Sequence, residues 1–419
     1  MHKKNQAVVL LAVLVLGGCG EPGTGTTEQV KIYRHAMDGV PGSLDPAQAS
    51  STYDKFVVIN LYDTLYRYKY LARPYRLHPN LAAAMPTWSD DGLRLTIPIK
   101  KGVKFIDDAA FENGTGREVT AHDFVYSIKR HFDPQTRAQG AWLWQNRIDG
   151  LDEWKTQGSD YSREVAGLRA LDNYTIEISL TRPFPQLIHT LTQGYAAIVP
   201  REAVEKYGQA FSSHPVGSGP FSFSSRDGVR AMLKKNPDFR QEPFDLEDEG
   251  YDPVSQGDIG LEALQGRTPP FIDQLEFEFI TEDAARWNAF ASGELHFIKV
   301  PVSQFDSILG ERDPLTLKQQ FADLYDFEAS AEAGLIYTNF NMADPRIGYH
   351  ENEEQDQRNH ALRCAMVKAF DWKKRNEIFF YNIGQVFPGI IPPAVPEYDP
   401  DADRSYIQRD IQGARELLR

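Results

Sequence analysis

The sequence predicts a mixed α/β protein of more than one domain, and three observations carry that prediction. The chain has 419 residues, where one domain takes roughly 150. Leu93, Leu95, Ile97 and Ile99 alternate with Arg94, Thr96 and Pro98, the period of a half-buried strand. Further on the period changes: Phe124, Ile128 and Phe132 recur every fourth residue, the stripe of an amphipathic helix.

The amino terminus reads as an address. Met1 to Lys4 is basic and Ala7 to Leu16 is an uninterrupted apolar run, the length of a signal-peptide core and too short to span a bilayer. Leu16-Gly17-Gly18-Cys19 has the form of a bacterial lipobox, with Cys19 acylated as the first mature residue. A cleaved signal followed by an ordinary cysteine is the plainer alternative. Several acyl chains hold a protein firmly where one does not, so stable membrane attachment is expected. Residues 20–29 have the composition of a flexible tether.

Val30 to Tyr33 is a short strand candidate, and helical spacing starts near Tyr53, with Val57, Leu61, Leu65 and Tyr68 in register. Asp90-Asp91-Gly92 is hairpin-turn chemistry ahead of the strand at 93–99. Pro98 cannot donate to a ladder, which predicts an edge or a bulge. Thr120, with Asp123 three residues on, is a variant capping box, and Asp133-Pro134 stops that helix. Trp142 and Trp144 would share a side only on a strand, and their region stays unassigned. Tyr174, Ile176, Ile178 and Leu180 give a second alternating strand, and Ile198-Val199-Pro200 leads into a short helix over 202–207. His214 to Phe221 is dense in turn-forming residues, fixing a tight backbone path. A phosphate cradle is its rival, but the Lys and helix start of a P-loop are missing.

Residues 240–270 are acidic and rich in Gly and Pro, a length of loop that is either functional or mobile. Leu275, Phe277 and Phe279 predict a strand, and Trp287, Phe290 and Ala291 a helix. Two consecutive helices follow over 359–370 and 371–380, Asp371 capping the second. After a Pro-rich connection, Ile407, Ile411, Ala414 and Leu418 share a last helix face. The chain stops at Arg419 without a cap or return strand and is read as incomplete.

A formal charge of −14 and no basic tract make nucleic acid or anionic lipid poor partners. Cys19 and Cys364 have separate explanations, so no disulfide is expected. Cys364 sits on a helical face with Leu362, Met366 and Ala369 and reads as buried filler rather than a reactive thiol. H-E-x-x-H, G-x-S-x-G and C-x-x-C are all missing, and Ser218 lacks the spacing of a nucleophile elbow. His122 and Asp123, adjacent on a helix, face different directions. His350 with Glu351, Glu353 and Glu354 could offer metal ligands, although a charge run on a loop is ordinarily a solvated face. Asn113-Gly114-Thr115 fits a glycosylation sequon but reads as a turn. No catalytic residue, metal site or cofactor is assigned.

Pro79 to Ala82, Trp88, Ser89 to Gly92, Lys101 to Phe105 and Thr120 to Ser127, in this order, resemble the large solute-binding proteins of ABC importers for oligopeptides, dipeptides and some metal chelates, the bacterial extracellular solute-binding protein family 5. Leu61 to Leu65, Pro215 to Phe221, Leu233 to Phe239, Ser292 to Leu295 and Asn359 to Asp371 extend the resemblance, and Tyr337 to Asn341 resembles a strand opening the family's third domain. One departure is Ile106-Asp107-Asp108, with a longer loop, where the family has H-D-G.

The resemblance implies an α/β, two-lobed periplasmic-binding-protein-like fold of type II, large cluster, with an extra α+β domain and the end of the second lobe missing. It implies a signal peptide over 1–18, a tether over 19–29, a discontinuous first lobe over 30–68 and 187–280, the extra domain over 69–186 and the second lobe from 281 to 419. Ligand is trapped between the lobes by hinge closure and released unaltered. Ser50, Ser51 and Thr52, just after Ser43-Leu44-Asp45-Pro46, map to the family's main-chain ligand contacts, and Asn339 to a pocket-facing position. An exposed polar loop or strand face is the plainer reading of all four. The carboxylate that fixes a peptide's ammonium in the family falls beyond Arg419. Expected partners are a peptide ligand, the importer's permease subunits and the membrane through lipid alone, with no nucleic acid and the protein a monomer. Rival readings are a binder of nickel chelates or oligosaccharides on the same fold, and a secreted hydrolase.

Overall fold

The computed structural model describes residues 30–257, 260–312, 314–329, 334–395 and 397–419; the signal segment, Cys19 and the tether lie outside them. The first described elements are β1 (Ile32–Met37), α1 (Thr52–Leu61), β2 (Tyr66–Tyr68) and β3 (Leu77–Pro79). There follow β4 (Thr87–Trp88), β5 (Arg94–Pro98), α2 (Ala121–Lys129), α3 (Leu151–Thr156), β6 (Leu168–Asp172) and β7 (Thr175–Ser179). The chain continues through α4 (Leu187–Thr190), α5 (Arg201–Tyr207), β8 (Phe221–Arg226), β9 (Arg230–Lys235), α6 (Pro253–Gln256) and β10 (Gln274–Phe279). Last come α7 (Asp283–Ala291), α8 (Phe305–Ile308), β11 (Leu309–Arg312), β12 (Leu315–Leu317), α9 (Gln319–Ala322), α10 (Glu353–Ala369), α11 (Trp372–Phe380) and α12 (Ile411–Leu417).

One sheet runs β1-β10-β9-β8, with β1 parallel to β10 and the other pairs antiparallel. A second, antiparallel throughout, runs β4-β5-β7-β6. Leu95 and Ile97 face Ile178 and Ile176 across β5 and β7, all four buried, and Phe124 and Ile128 of α2 join their core. That continuous core draws on residues from Met37 to Phe277, whereas the buried apolar residues described after 281 are Leu295, Ile308, Leu309, Ala365 and Ala414. The Thr120–Asp123 capping box forms, the Thr120 N–H donating to the Asp123 carboxylate at 2.8 Å.

Several expectations need correction. The helical spacing from Tyr53 does not carry through Leu65 and Tyr68: α1 ends at Leu61 and Tyr66 to Tyr68 is strand β2. The Leu61 carbonyl accepts from the Gly219 N–H at 3.0 Å, so a loop distant in sequence occupies the acceptor a longer helix would need. Pro98 is not on an edge strand, since β5 lies between β4 and β7. It is tolerated because β4 begins at Thr87, opposite Thr96, and residue 98 needs no donor on that side. The region of Trp142 and Trp144, unassigned from sequence, is a 3-10 turn that carries exposed Trp142 and is ended by buried Trp144. Residues 334–341 form no strand; Ile336 and Tyr337 are exposed, and among the described residues no strand lies alongside to pair with them. Cys364 is half-buried, its Sγ 3.6 Å from His360 Nε2.

The acidic stretch after β9 is fastened down. Buried Glu249 pairs with Arg67 and accepts the Tyr70 N–H at 2.9 Å, while Asp248 meets Lys69 at 2.9 Å and His78 at 2.7 Å. Gly250 sits so close to Ala72 that a Cβ there would stand 2.6 Å from its side chain.

His131, following α2, is buried with Nε2 on the Tyr195 carbonyl at 2.7 Å. Burial pushes its pKa down to about 4. Its folded value therefore lies below the unfolded one of about 6.5, so the unfolded chain takes the proton first. This contribution to stability is complete above about pH 6.5 and is lost as pH falls toward 4, amounting to about 3 kcal/mol. Urea unfolding of wild type and His131→Leu across that window is expected to show a shallower slope in the variant.

Candidate functional site

Three of the four ligand-contact residues that the sequence singles out, Ser50, Ser51 and Thr52, lie where the connection from β1 enters α1. Asp45 holds the first half of that loop: its carboxylate accepts the Ala47 N–H at 3.0 Å and both guanidinium nitrogens of Arg130 at 2.9 and 2.6 Å. Both side chains are buried, so the loop is pinned to the end of α2 by a fully desolvated ion pair.

The second half is organised by Asp54. Ser51 caps α1, its hydroxyl accepting the Asp54 N–H at 3.0 Å. The Asp54 carboxylate in turn accepts the N–H groups of Gly42 (2.6 Å), Ser43 (3.3 Å), Ser50 (2.9 Å) and Ser51 (2.9 Å). Burial raises its pKa, but the N–H groups of Ser51, Gly42 and Ser43 outweigh that and hold it below the usual carboxylate range. The sequence signal was present as Ser51-Thr52-Tyr53-Asp54, an N-cap with an acid three residues on, but sequence reasoning missed it.

The consequence for the predicted contacts is specific. Ser50, Ser51 and Thr52 are brought together at the start of α1, Ser50 and Thr52 exposed. The N–H groups of Ser50 and Ser51 are already bound within the chain, as are the Ser51 hydroxyl and carbonyl, so Ser50 and Thr52 carry the polar chemistry that faces outward. Asn339 is exposed on the unpaired segment 334–341, and no hydrogen bond links it to those three among the described residues. Each Asp54 oxygen accepts two of the four N–H groups, so Asp54→Asn leaves two of them facing an amide NH2, and a loss of about 2 kcal/mol is expected. Faster amide exchange at Gly42, Ser50 and Ser51, read by NMR or mass spectrometry, checks this.

Around that turn the surface is aromatic. Tyr53 packs over Gly39, where a Cβ would stand 2.2 Å from the ring. The Asp38 carboxylate beside its hydroxyl, together with burial, raises the Tyr53 pKa. Phe56 and Ile59 of α1 are exposed, and His35 lies between Phe56 and Phe297, centroids 5.8 and 5.3 Å away. A hydroxyl edge beside apolar rings suits non-covalent contact with a solute.

At the α1 turn no described serine or threonine hydroxyl is hydrogen-bonded to a histidine. Ser218 is buried and donates to Asp63 at 3.0 Å, and Arg240 holds that carboxylate at 2.8 and 3.0 Å. Among the described residues no serine hydroxyl meets a histidine, and no group of three or more His, Cys, Asp or Glu could hold a metal. His350 accepts the Asn352 N–H at 3.0 Å on an exposed loop. A cavity of about 320 Å³ lined by Asp107, Asp108, His214 and Asp238 lies away from the α1 turn. No described helix is long and apolar enough to cross a membrane.

Comparison with known proteins agrees with the fold. The glutathione-binding protein GsiB of Escherichia coli O1:K1 / APEC is 28% identical over 183 residues, 44% of this chain and 30% of the relative. Its namesake from Salmonella paratyphi A is 26% identical over 240 residues, 56% of this chain and 41% of that one. The matched stretch thus spans less than half of either relative. The structure of DppA from Helicobacter pylori in complex with peptide STSA superposes with a TM-score of 0.62 at 20% identity, over 92% of this chain and 65% of that one. MoaA from A. tumefaciens R10 in complex with mannopinic acid gives 0.63 at 22% identity, over 93% and 65%. These likenesses establish the α/β fold of type II periplasmic binding proteins. Residues 76–419 match the family described as bacterial extracellular solute-binding proteins, family 5 Middle. The chain belongs to the bacterial extracellular solute-binding proteins, family 5.

Proposed function

We propose that this protein is the extracytoplasmic capture component of an ABC importer, binding oligopeptides or dipeptides between two lobes and handing them unaltered to a membrane permease. The observation that carries the reading is the family match over most of the chain, joined to a fold shared with a protein solved around peptide STSA. The lobes follow the boundaries given above: β1 shares a sheet with β8, β9 and β10, which supports a first lobe assembled from two distant stretches. Ser50 and Thr52 supply polar contacts to an extended backbone, in the manner of strand addition, and Asn339 contributes from the other lobe once they close.

Incubating the protein with a mixed peptide library and recording native mass spectra tests this. Intact bound peptides support capture; cleaved products point to a hydrolase, and no bound peptide sinks the peptide reading. The second reading, a non-peptide solute, is favoured by the likeness to a protein solved with mannopinic acid, and the same spectra with sugar acids and nickel chelates address it.

Cys19 is the proposed lipid anchor. Cys19→Ser is expected to move the protein from the membrane fraction to the soluble one, because acyl chains supply the attachment. A variant that stays in the membrane pellet removes the anchor from the proposal.

A further inference from the structure

β1 has a second neighbour besides β10. His35 and Phe297 form a parallel bridge, and the His296 N–H donates to the Arg34 carbonyl at 3.1 Å. The contact is returned through a side chain: the Arg34 N–H donates to His296 Nδ1 at 3.1 Å. The His296 ring stacks on Tyr33, centroids 5.8 Å apart and planes at 23°. Beside it the His35 ring stacks on Phe297 at 5.3 Å and 10°, with Phe277 meeting it edge-on at 6.1 Å. Two imidazoles therefore hold residues 296–297 against β1, one as a hydrogen-bond acceptor and one as an apolar plate.

We propose that this seam is a pH-sensitive catch, closed while His296 and His35 are neutral and loosened when they take protons. Nδ1 accepts the Arg34 N–H only through its lone pair; a protonated Nδ1 is a donor facing a donor. His35 stands among Phe56, Phe277 and Phe297, and burial holds its pKa below the usual histidine value, so a charge there opposes the packing. Charged groups on β1, β10 and α1 have partners of their own. On β1, the Arg34 guanidinium is bound to Glu276 of β10 at 2.8 Å. Glu278, also on β10, lies 3.6 Å from Arg230. On α1, Lys55 reaches over the Tyr195 ring at 5.3 Å. Glu294 and Lys299 flank the seam on its own segment. The sign is fixed by geometry: the catch holds at neutral pH and weakens in acid.

Hydrogen exchange of the peptide spanning 33–37, corrected for intrinsic rates, tests the catch between about pH 7.5 and about pH 5, the range in which histidine changes charge. Protection of the Arg34 amide is expected to fall about fivefold or more, the loss of one ordinary hydrogen bond. His296→Gln, which keeps a carbonyl acceptor that does not titrate, is expected to hold its protection through the range. Wild-type protection that does not change with pH overturns the proposal. So does an equal loss in His296→Gln, or one shared by β5 and β7, which the seam does not touch. No ligand enters the experiment, so a chain that binds no peptide still shows whether the catch exists.

Discussion

Arg130→Met is expected to lower stability by about 3–5 kcal/mol, the cost of leaving a buried carboxylate without its partner. Asp45 and Arg130 are both about 5% exposed or less and make two parallel hydrogen bonds. The orphaned Asp45 carboxylate is buried and keeps the Ala47 N–H at 3.0 Å. The urea midpoint should drop sharply with little change in slope. Asp45→Leu combined with Arg130→Met should recover much of the loss, because removing both charges removes the desolvation penalty as well. A double variant no more stable than the single one would show that the pair matters through shape rather than charge.

Gly217→Ala is the second large effect. An added Cβ would stand 2.1 Å from the Leu61 carbonyl oxygen and 2.7 Å from the Tyr62 ring. The nearest obstacle is backbone at the end of α1, so no side chain can swing aside. Gly217 also gives its carbonyl to the Ile106 N–H at 2.9 Å, and shifting it disturbs that contact too. Destabilisation of about 3 kcal/mol, the upper end for overpacking, is expected. Gly228→Ala, with nothing within 4 Å of the new atom, should stay within about 0.5 kcal/mol of wild type. Paired urea titrations decide the matter, and equal losses in the two variants would refute the steric account.

The parts of this fold that were legible in the sequence are those that neighbours in the chain decide. The alternation at 93–99 and at 174–180, the Thr120–Asp123 cap and the Asp371 cap each depend on residues a few positions apart, and each appears where its pattern puts it. Distant contacts settle the rest. Nothing near Leu61 says that α1 must stop there; Gly217 and Gly219, far along the chain, press against its last carbonyl. The stretch after β9 looked loose by composition because its tethers, Arg67, Lys69 and His78, lie far upstream. That Ser50, Ser51 and Thr52 stand at the start of a helix was legible, but not the orientation of their hydrogen bonds. Asp54 turns two of the N–H groups inward, and only coordinates show which way a carboxylate faces.

The order β1-β10-β9-β8 carries a consequence for how the chain matures. The first described strand lies parallel to a partner ending at Phe279, so synthesis must pass residue 279 before that strand finds its neighbour in the sheet. Long-range parallel pairing of this kind is slow. Until then the antiparallel pairings of β4, β5 and β7, closer in sequence, are the sheet contacts open to the growing chain.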